Sequence, residues 1–534
     1  MVRYLDKKSG FNQWLSGRQS SEKKTSKFSS FFWWLIIFLL SWWLFSSWFA
    51  PSGKTDDNGQ KADIVQSGEI PNIPVGMFEA KDSLIQGTVR GIRIESLRLA
   101  NYKQSKDSKE EVCLLCGGGT EFIEIGLIAN GTTAPNIGTD WNAPVNYNEN
   151  YNRKLMAFKN ADGIEFSREI TAENYVINVR DTIRNTGKRD VSFTPYARIV
   201  RAGGESNAAV ATGGIAYANS EIEREDWKDL EKKAHIYQTT NGFAGFADQY
   251  WETIAALSAP DQTIRIKKSD DRYQADASAA PVQVGAGKSV EIETRIFAGP
   301  RDQSILAAAA ASIPGINQTM DYGWFWFLAR PMLWGLNAIH GLVMNYGLAI
   351  ILLTIVLRVL MWPLTRKSYT SMAAMQKMQP EMRRIQKLYA NDKARMQMEL
   401  MKLYQTHKTS PMSGCLPMLL QIPIFFALYK ALLISVPMRQ AGFLWISDLA
   451  VMDPFFILPI IMGATMWWQQ KLQGSAPAAD SDDPMAQTQK IMKWLPFIFT
   501  IMFVWMPAGL VLYWTVSNLF GIGQMYFIKK MSNK

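Results

Sequence analysis

The chain has 534 residues, too many for one ordinary domain, and its apolar residues crowd into the first 50 positions and the last 210. Its net charge of +10 is uneven: residues 1–30 carry +5, residues 31–320 carry −6 and residues 321–534 carry +11. Basic charge confined to segments beside apolar stretches orients a membrane protein, and argues against specific DNA binding.

Phe31 to Ala50 (FFWWLIIFLLSWWLFSSWFA) follows Lys23, Lys24 and Lys27. It is longer than a signal-peptide core and no small-x-small cleavage site precedes Pro51, so 31–50 is expected to be an uncleaved transmembrane anchor. Residues 1–30 then form a cytoplasmic basic arm able to touch anionic lipids. Residues 51–76, rich in Gly, Pro, Asp and Ser, read as a linker.

Over 77–320 the pattern is short and alternating, as in Gly91–Leu99, Tyr175–Ile183 and Ser289–Phe297. Such period-2 runs, separated by Gly, Asn and Asp turns, predict a large antiparallel β-sandwich, and the anchor at 31–50 puts it outside the cytoplasm. Arg301 to Ile313 is expected to be helical. Cys113 and Cys116 form a C-x-x-C pair with no second ligand pair, which favours an incidental pair or a local disulfide over a metal site. His235, His340 and His407 fall in three regions, so neither a His-based metal centre nor a Ser-His-Asp triad is supported.

Residues 321–345 are dense in aromatics but interrupted at Arg330-Pro331, which predicts an amphipathic helix at the outer interface. The next stretch, 346–365, is a transmembrane helix, apolar from Tyr346 to Pro363 except for Thr354 and Arg358. Arg358 lies about nine residues before Arg366-Lys367, roughly 13 Å along a helix. A guanidinium inside the bilayer costs at least about 2.5–3.5 kcal/mol and mostly faces water or a partner. An Arg that merely snorkels to the interface is the plain alternative.

Residues 366–412 form a basic cytoplasmic segment with Met372, Met375, Met378 and Met382 at helical spacing, expected to fold as a helical hairpin punctuated at Pro380 and Asn391-Asp392. Its Met stripe suits a hairpin seam or a polypeptide-binding surface, and its charged face could meet ribosomal RNA, lipid headgroups or water. Four further transmembrane helices follow at 413–436, 453–470, 491–505 and 508–528. The expected architecture is an α-helical multi-pass membrane protein with six transmembrane helices. Both termini are cytoplasmic.

At this point the residues resemble the YidC family, the membrane protein insertases of Gram-negative bacterial inner membranes. The resemblance is carried by DYGWFWFLARP at 321–331, WPLTRKSYTSMAAMQKMQPEM at 362–382, SGCLPMLLQIPIFFALYKAL at 413–432, DPFFILPIIMGATM at 453–466 and MPAGLVLYWTVSNLFGIGQ at 506–524. It implies a periplasmic β-sandwich domain and a hydrophilic groove centred on Arg358, with Thr354, Pro423, Phe425, Tyr513 and Trp514 contacting a passing substrate. Trp514 departs from the family's second tyrosine. Within that picture Thr354, Gln421, Ser517, Asn518 and Gln524 supply the polar lining. The implied partners are nascent membrane proteins and the Sec translocon, with ribosome contact through the cytoplasmic loops.

The chain has no G-x-x-x-x-G-K-[ST] loop, so no nucleotide or other cofactor is expected. An anion transporter or channel using Arg358 is the main rival, but it predicts inverted repeats that 346–528 does not show. An intramembrane protease would need paired Asp residues, or a Ser/His couple, within the spans.

Overall fold

The computed structural model of the chain describes residues 76–141, 153–204, 210–390, 392–407, 416–472 and 484–532. The expected basic arm, the anchor at 31–50 and most of the linker lie outside the described residues. All described residues belong to one compact unit.

Residues 76–300 form two facing antiparallel sheets, the expected sandwich. One has ten strands, with Arg93–Lys103, Phe122–Asn130, Val191–Arg201 and Arg272–Ser278 side by side at its centre. The other has eight, and its centre runs Trp251–Leu257, Ser289–Pro300, Val176–Asn185 and Ile164–Glu173. Ile94, Leu97, Ile123, Ile177, Phe246 and Phe297 meet between the sheets. Strict alternation would not place both Ile94 and Leu97 inside. A bulge permits it: Thr88 pairs with Ser96 and Val89 with Ile94, leaving Glu95 without an opposite residue and shifting the phase by one. Gly76, counted with the linker, begins the first strand.

The opposite face of the ten-stranded sheet carries a row of charges that alternation alone assigned to solvent. Arg93 stands opposite Glu124, Glu124 opposite Arg198, and Arg198 opposite Asp276. All four are buried, with Arg93 Nε 2.6 Å from Glu124 Oε2 and Arg198 Nε 2.9 Å from Asp276 Oδ1. Between the sheets, Arg168 grips Asp181 through two nitrogens at 2.7 and 2.8 Å and donates to Ile125 O across the gap. Cys113 and Cys116 are joined as a disulfide, the outcome suited to an oxidising compartment.

Helix α1, Gln303–Ala309, closes the domain, and Asp302 accepts from Ser304 N and Ile305 N to cap it. Then follow α2 (Trp326–Val343), α3 (Tyr346–Leu360), α4 (Trp362–Leu388), α5 (Lys393–Thr406), α6 (Leu416–Ile434), α7 (Ile457–Leu472), α8 (Pro484–Phe503) and α9 (Ala508–Ser532). Helices α4 and α5 follow one another over the segment expected as a hairpin, and α4 runs through Pro380, which was expected to punctuate it. Helix α2 lies within the segment expected as one amphipathic helix and runs through Pro331, at the cost of one backbone hydrogen bond.

The larger correction concerns 346–365. One straight span was expected; instead α3 ends at Leu360 and the chain bends by 63° into α4. Arg358 therefore lies in the last turn of α3. Among the described residues no single helix is both long and apolar enough to cross a membrane, although α3 with Trp362–Met375 passes as a bent pair. Helix α9 has the length, but Ser517, Asn518 and Gln524 lower its hydropathy.

Small residues let the helices approach. A Cβ on Gly463 of α7 would collide with the Thr500 hydroxyl of α8. Asp453, fully buried, accepts from Leu458 N and from the Trp445 indole, fixing the start of α7.

Candidate functional site

Thr354 and Arg358 lie four residues apart, so they share one face of α3. That face is buried, whereas Leu352, Val356 and Val359 on the opposite face are exposed. On α9 the same spacing aligns Tyr513, Ser517 and Gly521, with Gln524 one turn beyond. The two faces meet. Arg358 Nε donates to Ser517 Oγ at 2.8 Å, and its Nη2 reaches the same oxygen.

The third wall is α6, whose Gln421 Nε2 lies 2.5 Å from Tyr513 Oη. Thr354 Oγ1 donates back to Ile350 O at 2.6 Å, and Asn518 Nδ2 meets Thr465 Oγ1 of α7 at 3.3 Å. Both amide atoms of Gln524 are buried without a hydrogen-bond partner among the described residues. The expected polar residues thus form one contiguous seam. They do not line an open, hydrated cavity: Arg358 is 8% exposed, Gln421 9%, and Thr354, Tyr513, Ser517, Asn518 and Gln524 are less exposed still. The hydrogen bonds between helices close the space that the sequence reading left to water.

Beside the seam stands an aromatic group. Phe425 of α6 packs edge-on to Trp514 with centroids 5.1 Å apart, and Phe503 of α8 lies tilted 5.8 Å from Phe425 and edge-on 5.2 Å from Trp514. Phe425, Trp514 and Pro423 are only partly buried, so this side reaches the helix surface. Trp514 fills its place by ring packing, which needs no hydroxyl.

The electrostatics are one-sided. Arg358 makes no ion pair among the described residues, and α3, α6, α7, α8 and α9 contain no Asp or Glu. A buried ion pair of the helices lies instead at the junction with the β domain, between Lys430 of α6 and Asp321. There, burial opposes ionisation of Asp321, but the Lys430 ammonium and the Gly323 N–H outweigh it and hold the carboxyl down at about 2.

Sequence reasoning missed three members of the seam. Tyr369, at the start of α4, is buried and hydrogen-bonded to Gln469 of α7, and both approach Gly521. Thr465 is the third. Tyr369 had been counted with the hairpin because the boundary was set at 365, past the Trp362-Pro363 that opens α4. The small residues of GIG at 521–523, opposite a Gln-Gln pair, were the available signal.

Residues 81–335 match the family described as the YidC periplasmic domain, and residues 338–534 match the 60Kd inner membrane protein family. The membrane protein insertase YidC of Azotobacter vinelandii is 32% identical over 517 residues, which cover 91% of each chain. That of Magnetococcus marinus is 39% identical over 397 residues, 71% of this chain and 69% of its own. The chain belongs to the YidC family of membrane protein insertases. A solved active YidC insertase with its first transmembrane domain resolved is 17% identical, with TM-score 0.37, over 85% of this chain and 95% of its own. Membership places the sandwich as the family's periplasmic domain and α3–α9 with its inner-membrane domain, α2 straddling the two matches. The polar seam is the feature of that membrane domain that ordinary lipid-facing helices lack.

Proposed function

We propose that the chain inserts hydrophobic segments of nascent membrane proteins through the seam between α3, α6 and α9. The observation that carries this reading is the charge of Arg358, buried against a neutral hydroxyl with no acidic partner among the described residues. A buried charge without a counter-ion is costly, and such groups in membranes mark the paths of polar cargo. An acidic or polar tail on the substrate supplies the missing partner in transit.

To admit that tail, α6 parts from α9. The Gln421–Tyr513 and Arg358–Ser517 hydrogen bonds are exchanged for bonds to the tail and to water, so the polar groups stay satisfied at small net cost. Thr354, Asn518 and Gln524 extend the polar lining. The apolar segment leaves past Pro423, Phe425 and Trp514 and partitions into lipid, with about 25 cal/mol gained per Å² buried. The basic segments at 1–30 and 366–412 and the tail after 528 face the cytoplasm in this reading, and 51–320 the periplasm. Six spans then cross: 31–50, the α3–α4 bend, α6, α7, α8 and α9. The Sec translocon, the ribosome and anionic lipids fit as partners. No bond is made or broken, so the chain is not an enzyme and uses no cofactor.

The test replaces Arg358 by Ala and by Lys and follows insertion of single-span substrates with acidic, neutral and basic tails. Insertion of the acidic-tailed substrate is expected to fall several-fold with Ala and to be largely kept with Lys. Equal insertion by all three proteins for every tail refutes the reading.

A further inference from the structure

Helix α6 has two allegiances. Ala427, Leu428 and Leu432 pack in the core of the membrane helices, while Ala431, Leu433 and Ile434 belong to the core of the β domain. Its first half bears Gln421 and Phe425 of the seam. Its second half bears Lys430, whose ammonium lies 2.5 Å from Asp321 Oδ2 with both side chains largely buried.

Asp321 is itself held by the β domain. Ala211 N donates to Oδ2 at 3.3 Å and Gly323 N to Oδ1 at 2.9 Å. Arg301 in turn binds Ala211 O, Asp248 O and Thr319 O, and faces the fully buried Glu252 at 3.4 Å. Gly323 has φ +69°, and a Cβ there would sit about 3.5 Å from the Lys430 methylenes, so backbone and side chain fit closely. Two more contacts grip the chain just past Lys430. Gln249 Nε2 donates to Leu433 O at 3.0 Å, and Arg439 donates to Lys103 O at 2.6 Å while lying over the Trp251 ring.

We propose that Lys430 is a positioning residue: its ion pair with Asp321 ties the height and rotation of α6 to the β domain, and so sets the contact of α6 with α9 at the seam. This rests on the insertase reading of the seam. Phe425 is five residues from Lys430, about 7 Å along the same helix, and Gln421 nine residues, about 13 Å, on the far side of Pro423. A slip or turn of α6 at the periplasmic end therefore moves Phe425 directly, and Gln421 through the turn that holds Pro423. A partly buried ion pair suits this role because it is direction-sensitive where apolar packing alone allows sliding; fixing register is the best-attested use of such pairs. The Asp321 carboxyl, held at about 2, keeps its charge throughout the physiological range.

The test uses the full-length chain in membranes, with Cys415→Ser to remove the free thiol. Phe425→Cys and Trp514→Cys are joined by a short bifunctional maleimide, which reads the α6–α9 geometry without needing activity. Insertion is measured separately, in chains that keep Phe425 and Trp514. Lys430→Met is expected to lower cross-linking and insertion each several-fold, and Lys430→Arg, which keeps the charge opposite Asp321, to retain most of both. Unchanged cross-linking in Lys430→Met overturns the inference whatever insertion does. A cross-link lost as fully in Lys430→Arg as in Lys430→Met overturns it too, because then the shape of the side chain rather than its charge held the helix. If cross-linking falls while insertion is untouched, the positioning role stands and the insertase reading of the seam fails.

Discussion

The two halves of this molecule bury arginine in opposite ways. In the β domain each deeply buried guanidinium has a carboxylate: Arg93 with Glu124, Arg168 with Asp181, Arg198 with Asp276, Arg301 with Glu252. Among the membrane helices Arg358, equally buried, has a serine hydroxyl. Pairing converts a desolvated charge into a structural tie, whose loss leaves its partner stranded. A neutral hydroxyl satisfies the donor but not the charge, and leaves it available to a visiting anion. The first arrangement serves a rigid domain; the second fits the proposed passage of a substrate.

Breaking this comparison should produce effects of graded size. The largest is expected for Glu124→Ala, which strands Arg93 and leaves Arg198 to Asp276 alone, and should lower the stability of the β domain by about 3–5 kcal/mol, read by chemical denaturation of the full chain. A loss under 1 kcal/mol would mean that the row is not the tie described. Smaller is the contribution of Asp321, whose carboxyl is depressed from 3.8 to about 2. A depressed carboxyl adds stability above its unfolded pKa and loses it as pH falls through the folded value. Wild type should therefore exceed Asp321→Asn by about 2 kcal/mol above pH 4, and the difference should vanish by about pH 2. Thermal melts of both proteins across that range decide it. The smallest effect sharpens the contrast: Arg358→Met should leave stability within about 1 kcal/mol of wild type, or raise it, since no carboxylate is stranded. If Arg358→Met destabilises as strongly as Glu124→Ala, the membrane arginine is a structural tie as well.

Much of this was legible in the chain itself. The alternation in Val176–Asn185 and Ser289–Pro300 announced strands, because a pleated sheet puts successive residues on opposite faces. The lack of any acid in the last spans announced that Arg358 would go without one. The shape of the seam was not legible. The bend after Leu360 falls just before Trp362-Pro363, a helix-starting signal, but the boundary was set at 365 instead, so Tyr369 was placed with the hairpin and outside the site.

By itself, then, the sequence determined whatever is periodic or compositional: the sheet domain, the helical membrane domain, the uncompensated cation and the family. These depend on neighbours within a few residues. Only the tertiary structure decided which groups meet. Arg358 and Ser517 are 159 residues apart, Lys430 and Asp321 109, and the bulge at Glu95 shows itself only against its partner strand. No local pattern encodes such pairings, because they are set by how whole elements pack rather than by how each one winds.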